Sequence, residues 1–149
     1  MSVSSPFDDM YRDFSIADGI YLMQGAYELD LHNCFEFHSL DYSVKNRTLS
    51  LQWKTSDGDW VADGMPHSVA IEFKEVSEFR FLPRDADIPF TEDDCLETFG
   101  FWSDEDWATG VFLVGTGQEP DPAWPTAIEF TSGATIIVQA TSAHALIEK

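Results

Sequence analysis

The chain has 149 residues, with 27 Asp plus Glu against 8 Lys plus Arg and a formal charge of −19. At 44% hydrophobic and 14% aromatic residues it is too apolar for a disordered acidic tail, and its length predicts one domain spanning 1–149. The charge argues against nucleic acid and anionic membranes as partners, because both need clustered Lys and Arg to replace counterions; a basic protein is the partner such a surface attracts.

The opening Met1–Pro6 stretch lacks the positive flank and apolar run of a signal peptide, and no apolar run reaches the length of a membrane span, so a cytoplasmic protein is expected. The first predicted element is an amphipathic helix over Ser5–Asp18. Ser5 can cap it, Pro6 needs no N–H partner there, and Asp8 and Asp9 suit the positive end of the dipole. Phe7, Met10, Tyr11 and Phe14 recur at i, i+3, i+4 and i+7, and Asp18-Gly19 ends the pattern.

From there the period shortens to about two. Extended segments are predicted over Ile20–Gln24 and Tyr27–Tyr42, followed by a turn at Val44–Arg47 and a strand over Thr48–Thr55, in which Leu49, Leu51 and Trp53 alternate with polar residues. Asp57–Asp59 and Asp63–Pro66 read as loops. Val69, Ile71 and Phe73 alternate again, and a further strand over Val76–Leu82 is closed by Pro83. Between Asp85 and Thr109 the chain turns irregular and acidic, with a single helical turn predicted from Thr91 through Leu96. Val111–Val114 has the β-branching of a buried strand, Gly115–Pro125 is a loop, and Ala127–Thr131 with Ala134–Ala140 forms a hairpin about Ser132-Gly133. The fold class is therefore all-β: an antiparallel sandwich or open barrel of about eight strands with one N-terminal helix. Its core should come from Leu49, Leu51, Trp53, Val69, Ile71, Phe73, Val111, Leu113, Ile128, Phe130, Ile136 and Val138.

Few residues carry chemistry. His32, Cys34, Glu36 and His38 are spaced by two, which on a strand would place all four on one face where imidazole and thiolate could chelate a metal. No second His or Cys cluster completes a tetrahedral site, so a polar strand face is the simpler reading, with no metal or cofactor required. Cys34 as a nucleophile lacks an accompanying oxyanion hole. Cys34 and Cys95 are the two cysteines, which excludes a disulfide scaffold and predicts reduced thiols. The acidic groups do not fit an EF-hand loop, and Gly110–Gly117 lacks the Lys of a phosphate loop.

The charge distribution is more informative. From Asp85 through Glu148 there are 13 acidic residues and no Lys or Arg. Such a tract presents an unbroken negative field. Trp102 and Trp107 flank Asp104, Glu105 and Asp106, and these five residues are the expected partner-binding set, with the tryptophans as exposed apolar anchors. Trp60 and Trp124 are also expected in or beside exposed loops.

The stretch Leu31–Tyr42, with Arg47–Trp53 and Ile71–Val76, resembles a pattern in small bacterial β-rich proteins, some of which look like immunity proteins of polymorphic-toxin systems. That resemblance implies a protein that neutralises a toxin by binding it, with no catalytic residue. The functional expectation is a non-enzymatic binding protein. Its alternatives are a small-molecule-binding β-barrel and a metal-dependent enzyme built on His32, Cys34 and His38.

Overall fold

Alternation of apolar and polar residues dictates most of the architecture. The computed structural model describes residues 9–102, 111–112 and 121–149. Its strands are β1 (Tyr11–Arg12), β2 (Ser15–Ala17), β3 (Tyr21–Gln24), β4 (Tyr27–Asp30), β5 (Phe35–Ser43), β6 (Thr48–Thr55), β7 (Ser68–Leu82), β8 (Leu96–Trp102), β9 (Val111–Phe112), β10 (Thr126–Phe130) and β11 (Thr135–Glu148). A short 3-10 turn, Phe90–Glu92, lies between β7 and β8. Among the described residues no helix is long and apolar enough to cross a membrane.

The main sheet runs β5-β6-β7-β11-β10-β8-β9, and its six longer strands curl into an antiparallel half-barrel. The curl is visible in one contact. Three strands separate β5 from β10, yet the Phe37 ring centroid lies 4.7 Å from that of Phe130. Phe37 N–H also donates to the Asp94 carbonyl at 2.8 Å, which ties the edge strand β5 to the segment entering β8. β7 and β11 pair along nearly their whole length, with a bulge opposite Gln139 and Ala140 and with Glu75 at φ 54. Bulges raise local twist, so a long ladder can bend around a core instead of running flat.

The concave face holds the core. Leu49, Leu51, Trp53, Val69, Ile71, Phe73, Ile128, Phe130, Ile136 and Val138 are all at most 2% exposed, as their alternation requires. The side chains of Val111 and Leu113 lie outside the described residues. A second sheet, β2-β3-β4, contributes Ile16, Leu22 and Leu29 to the same core. Phe14 stacks on Phe99 at 6.1 Å, Phe99 N–H donates to the Gly19 carbonyl, and Gln24 Nε2 donates to the Ala145 carbonyl at 3.1 Å.

The expected N-terminal helix is corrected. Residues 1–8 lie outside the description, and from Asp9 the chain is extended through β1 and β2. Met10 and Phe14 are buried as a helical stripe would have them, but a spacing of four also fits a strand. The neighbours decide: Ile16 is buried and Tyr11 is 62% exposed, which is period two. The physical cause is tertiary. β10 pairs β11 only from Thr135 to Val138, leaving the Ser142–Ala143 edge open, and β1 fills it in parallel register. Asp13 N–H donates to the Ala143 carbonyl at 3.3 Å and Ala145 N–H to Asp13 Oδ1 at 2.8 Å.

Arg12 reinforces this docking. Its guanidinium donates to Thr126 Oγ1 at 3.0 Å, to the Trp124 carbonyl at 2.9 Å and to the Pro122 carbonyl at 3.3 Å, and lies 4.6 Å from the Phe101 ring centroid. Burial lowers its pKa to about 10, so it remains charged at neutral pH.

Other boundaries shift for local reasons. The single strand expected over Tyr27–Tyr42 is broken at Leu31–Cys34, because the Asp30 carboxylate accepts from the N–H groups of His32 and Asn33 at 3.0 and 2.8 Å and turns the chain. Val69–Phe73 and Val76–Leu82 are one bulged strand, β7, rather than two. The helical turn expected through Leu96 is confined to Phe90–Glu92, and Leu96 opens β8, whose pairing with β10 outweighs local propensity.

Candidate functional site

Beyond β7 the chain cannot continue the ladder, since Pro83 has no N–H to donate. The segment from Pro83 to Asp94 is instead organised around Arg84. Its Nε pairs with Asp93 Oδ1 at 2.9 Å, Nη1 donates to the Asp85 carbonyl at 3.1 Å, Nη2 donates to the Ile88 carbonyl at 2.6 Å, and the guanidinium carbon sits 4.5 Å from the Phe90 ring centroid. Hydrogen bonds from Arg84 and Ser132 hold the Asp93 carboxyl below its ordinary range. The β10–β11 turn anchors the other side: Asp85 N–H donates to the Ser132 carbonyl at 2.7 Å, and Thr131 Oγ1 donates to Glu92 Oε2 at 2.7 Å.

This loop, the end of β7, the bulge of β5 and the β10–β11 turn enclose a recess of about 340 Å³. Phe130 and Phe37 lie at its base, Phe130 at 2% exposure. Phe81 and Phe90 form walls at 57% and 79% exposure. His38, Asp93 and Asp94 complete the lining with Arg84. Of the loop's carboxylates, Asp85, Asp87 and Asp94 are exposed. A wider depression of about 640 Å³ beside the Ser56–His67 loop is lined mainly by polar groups, including Asp57, Asp63, His67 and Glu148.

The residues singled out from sequence are placed differently. Trp102 is 5% exposed, packed with Ala127 and Ile137, so its expected role as a surface anchor is corrected. Neighbouring strands cover the ring: Ala127 comes from β10 and Ile137 from β11, the next two strands of the sheet. Asp104, Glu105, Asp106 and Trp107 lie outside the described residues. Trp60 is 67% exposed, with its Nε1 donating to the Asn33 carbonyl at 2.6 Å, whereas Trp124 is partly buried against the core.

His32, Cys34, Glu36 and His38 do not share a strand face. His32 and Cys34 sit in the turn before β5, Glu36 is on the strand opposite Lys54, and His38 falls at a register shift. His32 Nδ1 faces the Leu96 carbonyl and lies 3.8 Å from Cys95 Sγ, a neighbour that spacing alone could not reveal. Burial pushes both the Cys34 and the Cys95 thiol up, the opposite of what a nucleophile needs. Among the described residues, no three His, Cys, Asp or Glu side chains gather as a metal-binding group.

Sequence reading missed Arg84, Phe81 and Phe90. The available signal was an aromatic residue, Phe90, within an acidic loop, and a lone base, Arg84, immediately before the base-free tract. Comparison of the chain with models of known families, with curated proteins and with solved structures finds no match.

Proposed function

We propose that this is a non-enzymatic cytoplasmic binding protein that engages a basic protein partner through its acidic surface, acting as an immunity protein or inhibitor. The observation that carries this reading is the base-free tract from Asp85 to Glu148, together with the exposure of Asp85, Asp87 and Asp94 on one loop. Carboxylates on a rigid β scaffold can occupy a basic cleft in place of phosphates, and inhibition then needs no chemistry. Asp104, Glu105 and Asp106 extend the same acidic tract. The raised thiols of Cys34 and Cys95 favour binding over thiol catalysis.

The test is binding to the product of the neighbouring gene, since an inhibitor of this class is encoded beside its target. Association should slow as salt rises, because steering between opposite charges is screened over about 10 Å at 0.1 M. Reversing Asp104, Glu105 and Asp106 to Lys, and separately Asp85, Asp87 and Asp94, should lower the association rate. Unchanged rates and affinities in both variants would refute the acidic-surface reading.

A further inference from the structure

Large aromatic rings left in water are unfavourable, and two of them stand beside one recess. Phe81 and Phe90 are 57% and 79% exposed, yet they border a space of about 340 Å³ instead of collapsing onto the rings of Phe37 and Phe130 beneath it. Phe90 is held from below by the Arg84 guanidinium, and Arg84 is itself committed to Asp93 and to the carbonyls of Asp85 and Ile88. The wall is therefore preorganised, which lowers the ordering cost of an occupant. The recess is at the small end of the range for ligand sites, and its base is aromatic.

The charge around it selects among occupants. Arg84 is already neutralised by Asp93, Asp94 stands at the rim, and Asp85 and Asp87 are exposed on the same loop, with no Lys or Arg in the following chain as far as Glu148. An anion would be repelled. A neutral apolar molecule would use the base and ignore the rim.

We propose that this recess receives one aromatic or large aliphatic side chain of a basic protein partner, while Lys or Arg residues flanking it in the partner's chain pair with Asp94, Asp85 and Asp87. This rests on the reading of the protein as a receptor for a basic partner and supplies its apolar anchor, the role for which the buried Trp102 is not available. Long-range attraction sets encounter, and a buried ring in a pocket sets lifetime.

Three capped peptides test it against the purified chain by amide-resolved NMR titration: a phenylalanine between two pairs of lysines, the same length of lysine alone, and a phenylalanine between two pairs of glutamates. The lysine-flanked phenylalanine should bind, shifting the amides of Phe37 and Asp94. Phe90→Ala should weaken it about tenfold, in keeping with loss of a pocket anchor, and Asp94→Asn about threefold with a shallower salt dependence. Phe90 is so exposed that its truncation leaves the fold intact, which an unchanged melting temperature verifies. Equal binding by the lysine-only peptide, insensitive to Phe90→Ala, would overturn the recess and leave the acidic-surface reading standing. Preference for the glutamate-flanked peptide would overturn both, and absence of any binding at the recess amides would overturn the recess proposal alone.

Discussion

Truncating two core phenylalanines should separate an enclosed cavity from an open one. Phe73 lies on the central strand β7, between Leu49 of β6 and Ala143 of β11, and is fully buried. Phe130 is almost as buried at 2%, but it lies at the base of the 340 Å³ recess. Burying a phenylalanine stabilises by about 1.5–3 kcal/mol in transfer energy alone, and a rigid cavity raises the cost of Phe→Ala to about 3–5 kcal/mol. Phe73 is 0% exposed and packed within the core cluster, so Phe73→Ala should cost about 4–5 kcal/mol, near the top of that range. The space left by Phe130→Ala joins the recess, where Phe37 and Phe81 can shift into it and water can enter, so the loss should be about 3 kcal/mol. Urea unfolding followed by tryptophan fluorescence, with matched slopes, measures both. A double-mutant cycle on Phe37 and Phe130, whose rings sit 4.7 Å apart, should return a coupling of about 0.5–1.5 kcal/mol. Equal losses for the two truncations, or a larger loss at Phe130, would refute the assignment of that ring to an open recess. A coupling near zero would refute the contact that closes the curl of the sheet.

Burial, with repulsion from Glu97, raises the carboxyl pKa of Glu129, so the folded chain holds this proton to higher pH than the unfolded chain does. Its contribution is most favourable below the ordinary glutamate value and is lost as pH rises through the folded value. The stability of Glu129→Gln relative to the parent should therefore increase from acidic to neutral pH, and a flat or falling difference in melting temperature would contradict this. Arg12→Ala removes charge-assisted bonds to Thr126 and to the carbonyls of Trp124 and Pro122, and should cost about 2–4 kcal/mol in urea unfolding. Arg12→Lys should recover less than half, because an ammonium lacks the planar fork; full recovery would show that charge alone matters. With a net charge of −19, the chain should melt at higher temperature in 0.5 M than in about 0.05 M sodium chloride, and an unchanged melting point would argue that the carboxylates do not repel one another in the folded state.

The strands most legible before folding share a property: one face is buried and the other wet, so their sequences alternate. Thr48–Thr55 and Val69–Phe73 declare both their state and their inward face this way, whereas Thr135–Val138, buried on both faces, declares its state by β-branching instead. The N-terminal segment was misleading because Met10 and Phe14 satisfy a helical and an extended spacing alike. Only the open Ser142–Ala143 edge of β11, more than a hundred residues away in the chain, decides between them. The candidate site was hidden for a related reason. Phe37, Phe81, Phe90 and Phe130 come from four separate stretches, and no spacing rule joins them.

Composition and alternation alone determined that this acidic chain folds as a β protein, that Leu49, Leu51, Trp53, Val69, Ile71 and Phe73 face its core, and that Asp85–Glu148 carries carboxylates with no Lys or Arg among them. Those properties are local or additive, since each residue's polarity and each strand's period act without reference to distant partners. The curl that brings β5 against β10, the burial of Trp102 and the recess at Phe81 and Phe90 were decided by the tertiary structure. Each depends on which strand edges remain unpaired and on where a bulge bends a ladder, and those are settled by contacts between residues far apart in sequence.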